Sequence, residues 1–272
     1  MLQSAPTTTS QQSKTRKRLN SKQIELLQIL YKFRFATAEL ISAYQEQSKQ
    51  YTNIRLKILC EQGYVSKNYD SSYKINRRPA TYYLLPDAIK LLKKDADLDP
   101  KGLHLLYYNR RAKQPFINHH TRLMRLCLKF EKLFGDDLDV YTSTELAEQK
   151  QLPTPRPDFF LGFKGRYADQ RDSILYLLES TTSLDRYRQS LVRIINHVEL
   201  DGGEQGVSRV LLVCENVGLE REIQRFAART LGFRDYSRVP FLTTTLSALL
   251  KSGSPKNTIW SDVLSPDKLL SL

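Results

Sequence analysis

The sequence predicts an α+β chain in two unlike parts, a helical unit closed by a β-hairpin and then an alternating α/β unit. Three observations predict it. Helical periodicity dominates residues 20–62, hairpin patterning follows over 64–85, and short apolar runs alternate with amphipathic helices after residue 117. The 272 residues are enough for two ordinary domains, and 40% hydrophobic with 26% charged residues is usual for a globular protein.

The elements follow in order. Residues 1–19 are rich in Ser, Thr and Gln and end in Lys14, Arg16, Lys17 and Arg18, which predicts a disordered basic tail. Ser21 is the expected N-cap of a helix through Phe33, with Ile24, Leu27, Ile29 and Leu30 as its buried stripe. Thr37 caps a short helix to Tyr44 after a turn at Phe33–Phe35. A third helix runs from Ser48 to Gln62 and stops at Gly63. Strands at Tyr64–Tyr69 and Pro79–Leu85 flank a polar turn, and a helix over Pro86–Lys94 closes the unit. Three helices and a hairpin within residues 20–95 are the layout of a winged helix-turn-helix domain.

Residues 96–116 read as a basic connector containing Pro100, Gly102 and Pro115, with Leu103–Tyr108 apolar enough to pack. In residues 117–250 a helix over Ile117–Phe134 precedes strands at Leu138–Ser143, Pro157–Phe163 and Ser173–Glu179. A helix over Leu184–Val198, a strand at Val207–Glu215 and a helix over Glu220–Thr230 complete a mixed sheet flanked by helices. Residues 251–272 are expected to form a C-terminal tail.

Charge is distributed as unevenly as structure. The net charge is +13, and residues 1–135 hold 25 Lys and Arg against 10 Asp and Glu, a balance of +15. No acidic residue occurs between Lys101 and Phe130. Such asymmetry points to a local polyanion-binding surface. No amphipathic helix with a Trp- or Phe-rich face accompanies the charge, so a membrane partner is not expected. Neither a signal-like segment nor an apolar run of spanning length is present, and a cytoplasmic location is expected. Cys60, Cys127 and Cys214 are widely spaced and form no CxxC pair, so they are expected to be small buried hydrophobes.

The third helix carries the DNA-reading pattern. In a helix-turn-helix unit this helix enters the major groove. Gln50, Asn53 and Arg55 are of the types that read adenine and guanine edges, and Lys49 and Lys57 suit phosphates. Leu56 and Leu59 face inward, with Tyr51 or Thr52 one turn earlier. The hairpin adds Lys67, Lys74, Arg77 and Arg78 as a basic wing. Double-stranded DNA is the expected partner.

Arg77–Leu92 (RRPATYYLLPDAIKLL), following LCEQGYV, resembles the wing and closing helix of the replication-relaxation family of plasmid and mobile-element proteins. Ile117–Leu133 (INHHTRLMRLCLKFEKL), RPDFFLGF and LLESTTSLDRYRQSL resemble later segments of the same family, over roughly residues 20–200. The resemblance implies a DNA-binding protein of a plasmid or conjugative element. Its implied roles are replication, DNA relaxation, mobilisation or transcriptional control.

Pro157-Asp158 followed by Glu179 on the next apolar strand is similar to the PD-(D/E)xK nuclease pattern, and implies a restriction-endonuclease-like fold for the second unit. In that pattern two carboxylates hold Mg2+ or Mn2+ and a nearby lysine stabilises the attacking hydroxide. Thr181 stands where the lysine belongs. Lys164 and Arg186 are the substitutes within reach in sequence, and Glu145 is a third candidate carboxylate. The expectation is therefore a nuclease-like unit that leans away from catalysis and needs no cofactor. The alternatives are a metal-dependent endonuclease using Asp158 and Glu179, and an adaptor recruiting a relaxase, replication or transposition protein. Dimerisation is left open. His119 and His120 read as satisfied polar residues at a helix start, without acidic partners in local sequence. The Asp201–Gly206 loop lacks the GxxxxGK[ST] pattern and reads as a turn.

Overall fold

The computed structural model describes residues 18–69, 78–167, 172–200, 209–232 and 239–272. Asn20, one residue earlier than expected, caps helix α1 (Ser21–Phe33). Its side chain accepts from the Gln23 N–H at 2.9 Å, and the Gln23 side chain accepts from the Asn20 N–H at 3.0 Å. This reciprocal box satisfies two donors that a helix start leaves open. β1 (Ala36–Thr37) leads into α2 (Ala38–Tyr44), which is capped by the Thr37 hydroxyl. Helix α3 (Lys49–Glu61) is capped by Ser48, and Gly63 turns the chain out of it at φ 74°. Strands β2 (Val65–Asn68) and β3 (Thr81–Leu84) pair antiparallel, and β1 adds to the far edge of β3, giving the order β1-β3-β2. Helix α4 (Pro86–Leu92) follows. Lys74, Arg77 and the polar turn lie outside the described residues, as do Lys14, Arg16, Lys17 and the Asp201–Gly206 loop.

Helix α5 (Pro100–Leu105), capped by Asp99, and a 3-10 turn over Leu106–Arg111 occupy the expected connector. The long helix α6 (Gln114–Phe134) then opens the second unit. Strands β4 (Leu138–Thr142), β5 (Phe159–Phe163) and β6 (Ser173–Leu178) run antiparallel in succession. Helix α7 (Leu184–Leu200) crosses to β7 (Arg209–Cys214), and α8 (Val217–Gly232) crosses to β8 (Phe241–Thr245), so β6, β7 and β8 are parallel. After α9 (Leu246–Lys251) come β9 (Trp260–Asp262) and β10 (Leu269–Leu270). The seven strands are ordered β10-β9-β8-β7-β6-β5-β4.

Residues 251–272 are thus not a tail. They supply two antiparallel strands at the edge of the sheet, and Trp260 is only 1% exposed. Strands of three and two residues are too short to show alternation, and β8 is what organises them.

Side-chain alternation divides the sheet into two faces. Leu175, Leu177, Leu211 and Val213 face α6, whereas Ile174, Tyr176, Leu178, Val210 and Leu212 face α7 and α8. The α6 face is shared with the first unit. Leu27, Leu30 and Phe33 of α1 join Met124, Cys127 and Phe130 of α6 in one continuous apolar cluster. Lys32 Nζ donates to the Val140 carbonyl at 2.7 Å, and Thr142 Oγ1 donates to the Lys32 carbonyl at 2.9 Å. Arg34, held at φ 64°, donates to the Asn109 side chain and the Leu105 carbonyl of the former connector. The two units are therefore packed onto each other across α6. Gly102 marks a close approach, because a Cβ there would run into the Thr144 carbonyl. Gly102→Ala is expected to cost about 1–3 kcal/mol, as overpacking does. A urea midpoint equal to wild type would show that this seam yields freely.

Cys127 and Cys214 are buried, Cys60 is half-buried, and all three are free thiols. No helix among the described residues is long and apolar enough to cross a membrane.

Candidate functional site

Two groupings of candidate functional side chains stand out. The first is the outer face of α3. Thr52, Leu56 and Leu59 are buried, which turns Lys49, Gln50, Asn53 and Lys57 outward. Their spacing places Gln50, Asn53 and Lys57 on one helical face. Tyr51, which the sequence left as an alternative to Thr52 for the inner position, is 64% exposed, and Ile54 is 48% exposed on the same outer face. Lys49 and Lys57 have only loose exposed partners, Glu39 at 3.8 Å and Glu61 at 4.0 Å. Such pairs contribute little and are readily exchanged for a phosphate. Arg55 behaves differently. It is half-buried and donates to the Gln47 side chain, so it is less free to read a base than its residue type suggested. Lys67 is exposed on β2 with its ammonium 5.6 Å from the Tyr69 ring, and Arg78 is exposed just before β3.

The second grouping joins the ends of the central strands to α6. Asp158 precedes β5 and Glu179 follows β6, and the sheet brings them together as their sequence pattern predicted. Between them lies a residue that the pattern did not include. His119 Nε2 donates to Asp158 Oδ1 at 2.9 Å, and His119 Nδ1 donates to Glu179 Oε2 at 2.9 Å. An ionised carboxylate only accepts, so both ring nitrogens carry protons and the ring is an imidazolium. One turn later, Arg122 pairs with the other Glu179 oxygen, and with Glu215 at 2.9 Å. Burial alone lowers the basicity of His119, but the Asp158 and Glu179 carboxylates outweigh it and push the imidazole up to about 10. Burial raises the Glu179 carboxyl, and His119 and Arg122 more than reverse this, leaving it below its usual range.

No family model, no curated protein and no solved structure matches the chain.

As arranged here, the carboxylate pair leaves no open position for a divalent ion. Each oxygen already has a protein donor. Asp158 Oδ2 accepts from the Leu177 N–H at 2.7 Å, and the other three take His119 and Arg122. A metal needs lone pairs converging on one point, whereas these oxygens bracket a flat cation whose two N–H groups diverge. Nor does any group of three or more His, Cys, Asp or Glu among the described residues suit a metal ion. With both ring nitrogens directed at carboxylate oxygens, the ring has no free lone pair to offer as a general base in this arrangement. The Glu179 backbone N–H and carbonyl are both bonded to the Tyr187 hydroxyl, at 2.6 and 2.8 Å, so that phenol is engaged as well. A cavity of about 200 Å³ lies beside the cluster.

The other candidates sit elsewhere. Glu145 accepts from the Thr142 N–H at 2.8 Å and pairs with Lys32 at 3.6 Å, which places it at the junction of the two units. Lys164 is bound to Asp139 at 2.7 Å on the surface, and Thr181 and Arg186 are exposed. Positive charge reaches Glu179 from α6 instead. His119, Arg122 and Glu215 were missed as a group because their partners are remote in sequence. The one available signal was the three-residue spacing of His119 and Arg122, which puts both on one helix face. His120 points the other way. It is buried against Phe116 at 4.4 Å between ring centroids, and burial holds its basicity well below the ordinary imidazole range.

Proposed function

We propose that the chain binds double-stranded DNA, with α3 in the major groove and the base of the β2–β3 hairpin beside it. The outward face of α3 carries the reading: Lys49, Gln50, Asn53 and Lys57 are exposed, and no acidic side chain precedes Glu61. Three helices with the antiparallel order β1-β3-β2 support a winged helix as the scaffold. The helix-strand-strand-strand-helix-strand order from α6 to β7 supports a restriction-endonuclease-like second unit. In this reading that unit is not a nuclease, because an imidazolium and a guanidinium saturate the carboxylates. The role in biology that fits the resemblance is that of a plasmid or mobile-element protein acting in replication, relaxation, mobilisation or transcriptional control.

The test is a gel-shift titration on sites selected from a random duplex pool. Asn53→Ala is expected to weaken specific binding by about 1–3 kcal/mol and relax preference at one base pair. Lys57→Ala should weaken binding to all sequences alike and reduce the salt slope by about 1. Equal affinity in both variants and wild type would remove α3 from the groove.

A further inference from the structure

A polar groove of about 240 Å³ runs along the seam between the two units, with Arg78 and Thr81 on one side and Asn118, Arg122 and Arg125 of α6 on the other. No acidic residue among the described ones lines it. Three guanidinium groups around one space repel one another unless something neutralises them. Arg122 is neutralised by Glu179 and Glu215 behind it. Arg78 and Arg125 are exposed and form no ion pair among the described residues. The neutral groups also suit an anion. Gln114 donates to Asn118 Oδ1 at 2.7 Å, which leaves the Asn118 amide nitrogen as the end free to donate. Thr81 is 6% exposed, and its buried hydroxyl has no hydrogen-bond partner among the described residues. An unmet buried hydroxyl is costly, and an oxyanion close by would give it an acceptor.

We propose that this groove holds one backbone phosphate of the DNA, clamped by Arg78 from the hairpin side and Arg125 from α6. The inference rests on the DNA-binding reading and extends the footprint from the first unit onto the long helix of the second. Planar guanidinium forks suit a phosphate geometrically, and a clamp drawn from both units fixes the orientation of the whole chain on the duplex without reading sequence. Arg78 and Arg125 are exposed, so their replacement leaves the packing of the fold intact.

The experiment compares full-length wild type, the double variant Arg78→Ala/Arg125→Ala and Lys57→Ala by fluorescence anisotropy on one duplex across a salt series. One lost phosphate contact lowers the slope of log K against log salt by about 0.9, and so weakens binding roughly eightfold near 0.1 M salt. The double variant is expected to show that loss equally on selected and scrambled duplexes. Wild-type slope and affinity in the double variant, alongside a loss in Lys57→Ala, would overturn the groove while leaving the α3 reading in place. Absence of DNA binding by wild type would overturn both. A parallel arm adds inorganic phosphate at constant ionic strength and follows the melting temperature. A rise in wild type that the double variant lacks, with duplex binding unchanged by the substitutions, would assign the groove to a free phosphate and overturn the DNA contact.

Discussion

Replacing His119 with alanine is expected to lower the unfolding free energy by about 3–5 kcal/mol, the usual cost of taking one partner from a buried charge cluster. Asp158 and Glu179 would be left facing each other with 17% and 7% of their side chains exposed and no cation between them. Most of the loss is that stranded charge rather than the strength of the original bonds. Asp158→Asn added to His119→Ala is therefore expected to restore part of the stability, since the Asn oxygen still accepts from Leu177. The pH profile gives an independent readout. The imidazole rises from its ordinary value of 6.5 to about 10 on folding. Its contribution is complete below pH 6.5 and disappears as pH climbs through about 10. Glu179 is shifted the other way, so its contribution is present above 4.5 and fades as pH falls below that. Urea unfolding at pH 6, 8 and 10 should show a steeper alkaline loss in wild type than in His119→Ala. Parallel curves would mean that the ring is not the titrating cation.

Trp260→Ala is expected to cost a further 3–5 kcal/mol, about the figure for an aromatic truncation that leaves a cavity. Trp260 is 1% exposed on β9 and shares the cluster that contains Phe130, Phe134 and Leu249. Deleting residues 252–272 should be worse, because it also strips β8 of the partner strand that its outer edge hydrogen-bonds. The only tryptophan in the chain reports on its own site. Its emission should be blue in the native protein and shift red on unfolding in a single step. A truncated chain with native circular dichroism and an undisturbed urea midpoint would return these residues to the status of a tail.

Much of the framework was legible. The cap at Thr37, the helix start at Ser48, the Gly63 stop, the periodic helix 117–134 and the buried runs read at 173–179 and 207–215 are local features, and each fixes an element by itself. Elements made by pairing were not. β1, β9 and β10 have two or three residues each and exist because β3 and β8 offer them open edges. That Leu103–Tyr108 packs was legible from its apolar residues, but the partners it meets lie far along the chain and only the fold supplies them.

For the functional side chains the division is the same. The sequence by itself determined that positive charge gathers in the first half, that α3 has an inner apolar row, and that Asp158 and Glu179 flank successive apolar runs. Only tertiary structure decided that Arg55 turns toward Gln47, that Tyr51 lies outside, and that an imidazolium sits between the two acids. Helix periodicity and strand alternation act over a few residues, so a single chain displays them. Ion pairing acts through a few ångströms of space, and His119 meets Asp158 and Glu179 only once α6 has packed against the sheet.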